Sequence, residues 1–272
     1  MNIIYEQKAS EFSFENTGSR QGWSIYWPPH LHNHIEIVYM KSGSARAFAD
    51  LDEYVLEADD LFISFPNQVH CYMKDDDEKI GDHSFVLMIV SPNFIPNFNE
   101  MYKGKIPSSA VIKNASQNQA LNYIIKLISD EHTANKSPNT TLIKGLLYAL
   151  FGEFTAQNHL IDQPSSEKSP IKTIVKYCSD NYKKEITLDI LERELHLNKY
   201  YISHVLHDKL KIGFSDYINY LRVSEACNLL SNGDMSIAAI GEAVGFKTTR
   251  TFNRAFFKIH GISPGKYKTD QN

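Results

Sequence analysis

A helix, a turn and a second helix occur twice, in the same order, in the last third of this 272-residue chain. The first copy begins at Thr187, a typical N-cap residue, and its second helix is expected to begin at Asn198, after the turn HLN. The second copy follows as SIAAIGEAV, GFKTT and RTFNRAFFKIHG, and FSDYINYLRVSEACNLL between them predicts one long amphipathic helix. Apolar stripes at helical spacing are formed by Ile202, Val205, Leu206 and Leu210, and by Phe252, Ala255, Phe256 and Ile259. The repeat therefore predicts an all-α domain from Pro170 onward.

The face opposite each apolar stripe carries side chains that suit a nucleic acid. These side chains are Tyr200, Ser203, His204 and His207 in the first copy, and Thr249, Arg250, Asn253 and Arg254 in the second. Arginine can donate two hydrogen bonds to guanine, asparagine can pair with adenine, and threonine can contact a phosphate or a thymine methyl group. A plain helical bundle with a polar outer face would look similar, but solubility alone explains an exposed Arg and Asn face less easily. The pattern predicts two DNA-reading helices.

The formal net charge of −4 conceals a difference in sign between the two parts of the chain. Residues 1–165 contain 12 basic and 20 acidic residues, whereas residues 166–272 contain 16 basic and 12 acidic residues. Only the second part suits a polyanion, although its small excess of positive charge is also ordinary for a solvated surface. Three separated cysteines fit a reducing compartment, and without a signal-like N-terminus or a long apolar run we expect a cytoplasmic protein.

A specific combination of residues lies in the stretch IAAIGEAVGFKTTRTFNRAFFKIHGISPGKY. It consists of Ile237, Ile240, Gly245, Phe246, Phe252, Phe256, Gly261, Ser263, Pro264 and Tyr267. Through these residues the chain from about Pro170 to Lys268 resembles the AraC/XylS-type transcription regulators. The resemblance implies two recognition helices about one DNA turn apart that enter successive major grooves. By position it assigns base-facing roles to Tyr200, Ser203 and His204, and to Thr249, Arg250, Asn253 and Arg254.

Three residues depart from this family pattern. His204 stands where the family usually has Arg, Phe257 where it has Lys, and Gly241 where it has Ala. A glycine inside a helix costs about 1 kcal/mol relative to alanine, and neutral histidine is a poorer phosphate partner than arginine. We therefore expect the first motif to bind weakly or in a pH-sensitive way, and the second motif to supply more of the affinity.

The N-terminal part of the sequence has a different pattern. Short apolar runs separated by turn residues between about Gly22 and Val90 predict antiparallel strands. Two amphipathic helices follow, with stripes formed by Leu121, Ile124, Ile125 and Ile128, and by Ile143, Leu146, Leu147, Leu150 and Phe154. In the family such helices often pair with a second subunit, so a homodimer is expected; packing against the strands is the alternative. The polar segment AQNHLIDQPSSEKSP predicts an exposed linker.

The resulting fold class is an α+β protein with two domains. A cupin-like antiparallel β-barrel with trailing helices is expected over residues 1–160, as an effector-binding and dimerisation domain. The linker is expected at 161–170 and the all-α domain with two helix-turn-helix motifs at 171–272.

The string HLHNHIEIVYMKSG places His30, His32 and Glu36 at H-x-H-x-x-x-E spacing, and PNQVH ends at His70. This resembles the metal-binding motifs of cupins. Even-numbered residues of one strand share a face, so His30, His32, His34 and Glu36 are expected to point into the barrel. Imidazoles with a carboxylate can bind Fe, Mn, Ni or Zn, which makes a metal-dependent enzyme the rival hypothesis.

The second cupin motif argues against a metal, because Asp59, Phe65 and Asn67 stand where metal cupins have Gly, Pro and Gly. The AraC-type regulators commonly keep the H-x-H-x-x-x-E string without needing a metal. The expectation is therefore no cofactor and an effector site that binds hydroxyl groups, formed by Trp27, His30, His32, His34, Glu36 and His70. The aromatic residues Trp23, Tyr26, Trp27 and Tyr39 could stack on a sugar ring or simply pack in the core.

These observations predict a sequence-specific DNA-binding transcription regulator, not an enzyme, controlled by a small and sugar-like effector. The alternative is a metal-dependent cupin enzyme fused to a DNA-binding module. The expected partners are double-stranded promoter DNA, a carbohydrate effector, a second copy of the chain and RNA polymerase, with no membrane.

Overall fold

The structure is a computed structural model, and it describes residues 11–16, 27–73, 83–95, 97–134, 137–163, 169–232 and 235–271. The chain divides into two compact units, whose long segments are His32–Ser165 and Ser166–Asn272. Apart from Pro28–Leu31, which is grouped with the second unit, the described strands belong to the first unit, and the segment Ser166–Asn272 of the second unit is helical where it is described. The expected α+β class with two domains is confirmed. Within the described part of the chain, no helix combines the length and apolar character needed to cross a bilayer.

Two antiparallel sheets form most of the first unit. The described strands are β1 (Phe12–Asn16), β2 (Trp27–His30), β3 (Ile35–Ser42), β4 (Ala45–Ala49), β5 (Asp52–Leu56), β6 (Leu61–Ser64), β7 (His70–Met73), β8 (Ser84–Val90), β9 (Lys105–Pro107), β10 (Val111–Ile112) and β11 (Leu160–Asp162). Strands β9 and β11 pair with each other, and the other nine form the two sheets. One sheet has the order β1-β8-β3-β6-β10, and the other has the order β2-β7-β4-β5. The sheets face each other, since the ring of Phe62 on β6 lies 5.4 Å from that of Tyr72 on β7.

Strand β3 shows how side-chain alternation divides the core. Ile35 and Ile37 belong to the apolar cluster that includes the helices of this unit. Glu36 lies between them in sequence and is fully buried on the opposite face, toward the second sheet. The interior between the sheets therefore contains a carboxylate, while the outer face of the five-stranded sheet is apolar.

Three helices cover that outer face: α1 (Phe98–Tyr102), α2 (Gln119–Ala134) and α3 (Thr140–Gln157). The predicted stripes are buried in the same cluster as Ile35 and Ile37, with Leu146 partly buried at its edge. The structure therefore shows the alternative arrangement, in which these apolar stripes pack against the strands. A dimer would have to use other surfaces of the helices, and the homodimer stays a prediction.

The linker begins later in the structure than expected at 161. Strand β11 pairs antiparallel with β9, with Ile161 opposite Ile106 and Asp162 opposite Lys105. The backbone N–H of Gln163 also donates to the carbonyl oxygen of Gly104 at 2.8 Å. These backbone hydrogen bonds tie 161–163 to the first unit, and residues 164–168 of the expected linker lie outside the described residues.

The second unit is helical from Pro170 onward, as predicted. Its helices are α4 (Pro170–Asn181), α5 (Leu188–Leu195), α6 (Lys199–His204), α7 (Phe214–Asn232), α8 (Ile237–Ala243), α9 (Thr249–His260) and α10 (Pro264–Gln271). Thr187 caps α5 by accepting from the Ile190 N–H, and Asn198 caps α6 by accepting from the Tyr200 N–H, which confirms both expected caps. The helix α7 is buried on several faces and packs against α8, α9 and α10, so it is a central helix of this unit.

Candidate functional sites

The second helix-turn-helix motif presents the predicted reading face. Thr249, Arg250, Asn253 and Arg254 are all exposed on α9, while Phe252, Ala255 and Phe256 are buried in the core of the unit. Thr248 caps α9 by accepting from the Thr251 N–H at 3.2 Å. The two arginines and the asparagine are therefore held on a capped helix with its apolar side packed.

Gly241, which departs from the family pattern, lies on α8 against this helix. A β-carbon at Gly241 would be 3.0–3.2 Å from atoms of the Phe252 side chain. Such contacts are closer than ordinary van der Waals distances, so the missing methyl group lets α8 approach α9. Gly241 therefore lowers the helix propensity of α8 but allows α8 and α9 to pack closely.

The first motif differs from the predicted geometry after His204. The helix α6 ends there and continues as one π-helical turn over Val205–Lys209, with a hydrogen bond from the Leu210 N–H to the Val205 carbonyl. Because a π-turn changes the angular spacing of side chains, His207 does not follow the i, i+7 position of an α-helix. The predicted stripe of Ile202, Val205, Leu206 and Leu210 is nonetheless buried.

An acidic side chain, Asp208, lies among the predicted reading residues of the first motif. Its carboxylate contacts the Nδ1 atoms of both His204 and His207, the latter at 2.6 Å. The two histidines lower the pKa of Asp208, His207 being the larger cause. Tyr200 is 75% exposed and Ser203 is half-buried. A carboxylate on this surface would repel DNA phosphates. The weaker binding by the first motif stays a prediction.

Arg222 joins the turn of the second motif to the segment that precedes the first motif, a role that was not predicted from the sequence. From α7 its guanidinium donates to the carbonyl oxygens of Tyr182 at 2.8 Å and Lys184 at 2.9 Å. It also lies over the ring of Phe246, 5.5 Å from the centroid, in the turn of the second motif. An arginine on a long central helix was the only signal in the sequence. Its contacts fix the turn of the second motif against the end of α4.

A cleft of about 720 Å³ lies beside this junction. Its basic lining residues are Lys183, Lys184, Arg222, Lys247, Arg254 and Lys258. Lys247 pairs with Glu185 at 2.7 Å and Lys258 pairs with Asp216 at 2.7 Å, which offsets part of this charge. Arg254 lines this cleft and also belongs to the reading face of α9, so the two basic surfaces are continuous.

The side chains of His30, His32, Glu36 and His70 come together between the two sheets. One ligand atom from each of them can be chosen so that all four lie within 4.8 Å of one another. The Glu36 Oε2 atom is 3.4 Å from His32 Nε2 and 3.7 Å from His70 Nε2. All four side chains are at most 1% exposed. Strand β2 carries His30 and is hydrogen-bonded to β7, which carries His70.

The other predicted effector residues lie around this cluster rather than in it. The strand predicted through residue 34 ends at His30 and resumes at Ile35, so the alternation argument fails for His34. The Nδ1 atom of His34 is instead 2.8 Å from the side-chain oxygen of Asn33. Trp27 is half-buried, with its ring edge-on to those of Tyr72 and Phe85.

Two tyrosines near the string, Tyr39 and Tyr72, have different surroundings. Tyr39 donates its hydroxyl to Asp59 at 2.9 Å and packs against the helix-side cluster, away from Glu36. Tyr72, which the sequence analysis did not single out, is fully buried, and burial and the Glu36 carboxylate raise its pKa well above the usual value. Its hydroxyl is therefore protonated beside the cluster. Trp23 and Tyr26 lie outside the described residues.

Comparison with known proteins gives matches for both units. The family described as an AraC-like ligand binding domain matches residues 17–151, and the family described as a helix-turn-helix domain matches residues 191–270. YdiP, an uncharacterized HTH-type transcriptional regulator of Escherichia coli (strain K12), is 26% identical over 249 residues, which cover 88% of this chain and 80% of YdiP. The raffinose operon transcriptional regulatory protein RafR of Pediococcus pentosaceus is 24% identical over 241 residues, covering 85% of this chain and 83% of RafR.

The fold also matches solved structures of ToxT from Vibrio cholerae. An apo variant of ToxT aligns with a TM-score of 0.58 and 15% identity over 98% of this chain and 100% of ToxT. ToxT bound to an unsaturated fatty acid aligns with a TM-score of 0.56 and 15% identity, covering 97% of this chain and 96% of ToxT. At this identity the likeness supports the fold, with both units present in the same order.

Proposed function

Because this chain belongs to the AraC/XylS-type family of DNA-binding transcription regulators, we propose that it reads a specific promoter sequence and responds to a small, sugar-like effector. The effector domain is assigned to residues 1–160, and the DNA-binding domain to 171–272. The proposal that the chain reads DNA rests on the exposed face of α9. Arg250, Asn253 and Arg254 on this face can form hydrogen bonds with base edges and phosphates.

The test for DNA reading uses the full-length chain and a pool of duplexes with randomised sequence. Selection should converge on a site with two half-sites about one helical turn apart, because two recognition helices contact successive major grooves. The chain in which both Arg250 and Arg254 are changed to Ala should no longer select the half-site read by the second motif. A wild-type chain that selects no sequence at low salt would contradict the proposal.

The effector is assigned to the interior between the two sheets, with Trp27, His30, His32, His34, Glu36 and His70 as the contacting residues. The name of RafR links one relative to a sugar operon, whereas ToxT binds a fatty acid, so the two classes of effector can be compared directly. A ligand at 100 times its Kd stabilises the folded state by about 2.7 kcal/mol. A thermal-shift screen of the full chain with oligosaccharides and with unsaturated fatty acids should show stabilisation by the sugars.

His32→Ala tests the location of the effector site. This variant should lose the stabilisation by the effector and the response of DNA binding to it. Its DNA affinity without effector should stay at the wild-type value, because α6 and α9 belong to the other unit. A normal response of this variant would show that the effector binds elsewhere.

The proposed partners are a second copy of the chain and RNA polymerase, and the proposed location is the cytoplasm. Tyr123, Leu142 and Tyr148 are exposed on α2 and α3 and offer apolar surface for a homodimer. Light scattering of the full chain, compared with its Tyr148→Glu variant, should show a dimer that the variant weakens.

A metal-dependent enzyme joined to a DNA-binding module is the second candidate, because imidazole and carboxylate ligands converge between the sheets. We propose that the chain is not an enzyme. Its relatives YdiP and RafR are named as regulators.

A further inference from the structure

Phe257 is a large apolar residue on the exposed face of α9. It follows Arg250 by seven residues and Asn253 by four. Since an α-helix turns by about 100° per residue, Phe257 lies within about 40° of both of them around the helix axis. Phe257 is 59% exposed, whereas Phe252 and Phe256 of the same helix are fully buried. Phe257 therefore belongs to the reading face and not to the packing stripe.

The core contacts of α9 are made from its other side. Phe252 and Phe256 belong to the apolar core of the helical unit, and the ring of Phe256 lies 5.4 Å from that of Tyr267 on α10. Removing an apolar ring from water is favourable, and the exposed part of Phe257 has not yet gained this free energy. A partner that covers the ring would gain it on binding.

The charges around Phe257 restrict what can cover it. Arg250 and Arg254 are exposed on the same face, and Lys258 pairs with Asp216 at 2.7 Å. A purely apolar partner would take the two guanidinium groups out of water without pairing them, which is costly. A polyanion that also carries apolar groups suits both parts of this surface. The major groove of duplex DNA offers this combination, because phosphates flank it and thymine methyl groups project into it.

The position of Phe257 along α9 limits which base it can reach. The helix begins at Thr249, and helix-turn-helix proteins contact base edges mainly with the N-terminal residues of the recognition helix. From Asn253 to Phe257 the helix rises by about 6 Å, and neighbouring base pairs are about 3.4 Å apart. The ring of Phe257 therefore reaches about two base pairs beyond the base that Asn253 faces, at the edge of the half-site.

A thymine methyl group is the part of a base that suits an aromatic side chain. In the major groove only thymine, among the four standard bases, carries a C5-methyl group, and apolar side chains such as Phe contact it. Lysine, which the family pattern has at position 257, donates hydrogen bonds and suits a phosphate or a guanine. The change from Lys to Phe therefore replaces a charged contact with one that distinguishes thymine from the other bases.

We propose that Phe257 contacts the C5-methyl group of a thymine in the half-site read by the second motif. The inference rests on the proposed function and names one base of the DNA site, a thymine within about two base pairs of the base that Asn253 faces. Arg250 and Arg254 supply charge and hydrogen bonds in the same interface. Phe257 adds a preference that depends little on salt, because an apolar contact releases no counterions.

The experiment uses the full-length chain and the duplex that selection from the randomised pool gives. Each thymine of the second half-site is replaced in turn by deoxyuridine, which lacks only the methyl group. For the wild-type chain, one replacement should weaken binding about threefold to fivefold, as expected for the loss of one buried methyl group. Phe257→Ala should bind the thymine duplex at least about threefold more weakly than the wild-type chain. It should bind the thymine and deoxyuridine duplexes equally, because both changes remove the same contact.

Three further variants serve as controls. Phe257→Leu stays apolar and should keep part of the discrimination. Phe257→Lys should lose it and steepen the salt dependence of binding by about one unit. Leu51→Ala removes an apolar residue that is 49% exposed in the first unit, and it should bind like the wild-type chain. The melting temperature of Phe257→Ala should stay at the wild-type value, because the ring is exposed.

The outcomes separate this inference from the proposed function. A wild-type chain that selects no sequence at low salt contradicts the proposed function, and the thymine contact with it. A chain that selects a specific site but tolerates deoxyuridine at every thymine of the second half-site would contradict the Phe257 contact alone. The same conclusion would follow if Phe257→Ala distinguished thymine from deoxyuridine as strongly as the wild-type chain.

Discussion

Gly245 approaches the main chain of Lys183 so closely that a β-carbon at Gly245 would lie 2.5 Å from the Lys183 carbonyl oxygen. Gly245 has a φ of 98°, which also disfavours any other residue. The contact joins the turn of the second helix-turn-helix motif to the segment that precedes the first. Arg222 binds at the same junction, through the carbonyl oxygens of Tyr182 and Lys184. The two motifs are thus connected by main-chain groups as well as by α7.

Gly245→Ala should destabilise the helical unit. Backbone strain costs about 1–3 kcal/mol, and overpacking adds about 1–3 kcal/mol, so we expect a loss of at least about 2 kcal/mol. Gly265→Ala is the control, since a β-carbon at Gly265 in α10 meets no atom within 4 Å. It should be neutral or stabilise by up to about 1 kcal/mol. Denaturation followed by far-UV circular dichroism measures both, and equal stability of the two variants would contradict the contact.

Arg250→Ala and Arg254→Ala should weaken DNA binding without unfolding the chain, because both side chains are exposed. An arginine that reads guanine should cost about 1–3 kcal/mol on the selected site and relax preference at one base pair, whereas a phosphate contact should reduce the salt slope by about one unit.

Phe256→Ala is the comparison on the buried face of the same helix and should lower stability by about 3–5 kcal/mol. Affinities over a range of salt, with thermal melts, distinguish these effects. Wild-type affinity of both arginine variants would show that the reading face is assigned wrongly.

His204→Arg should strengthen DNA binding through the first motif. The new side chain carries a permanent positive charge on an exposed surface next to Asp208. One additional phosphate contact should steepen the salt dependence by about one unit. His159→Arg, an exposed change in the first unit, adds the same charge and should leave the slope unchanged. If both variants behave alike, the effect is one of net charge and α6 does not face DNA.

Stability of the helical unit should fall as the pH is lowered from 7 to 5, because the partial burial of the His260 ring lowers its pKa below the usual 6.5, although part of the residue stays exposed. Its ring packs against Phe256 and Tyr267, and its Nε2 lies 3.2 Å from Sγ of Cys227. The unfolded chain binds a proton more readily than the folded one, so this stability is present above pH 6.5 and is lost toward the lower folded pKa.

The titration of the His260 ring by NMR, together with melts across this pH range, tests the prediction. His260→Gln should reduce the dependence of stability on pH. A ring that titrates at 6.5 or above would contradict the burial argument.

The sequence alone determined the features that depend on local chemistry. The caps Thr187 and Asn198 were predicted because a side-chain oxygen near the first N–H groups of a helix needs no distant partner. The stripe through Phe252 and Phe256 was predicted because helical periodicity places these residues on one side. The exposed arginines of α9 followed from the same periodicity, and so did the order of the two motifs.

Only the tertiary structure decided which distant groups meet. The spacing of His30, His32 and Glu36 was visible in the chain, but strand pairing brings His70 to them, and His34 lies beside the cluster with its ring against that of His32. The contacts of Arg222 and Gly245 had no local signal, although Gly245 belongs to the family pattern, because their neighbours are main-chain oxygens of residues 182–184, about 40 and 60 residues away. Periodicity and capping act within a few residues along the chain, whereas these contacts form only when separate elements pack together.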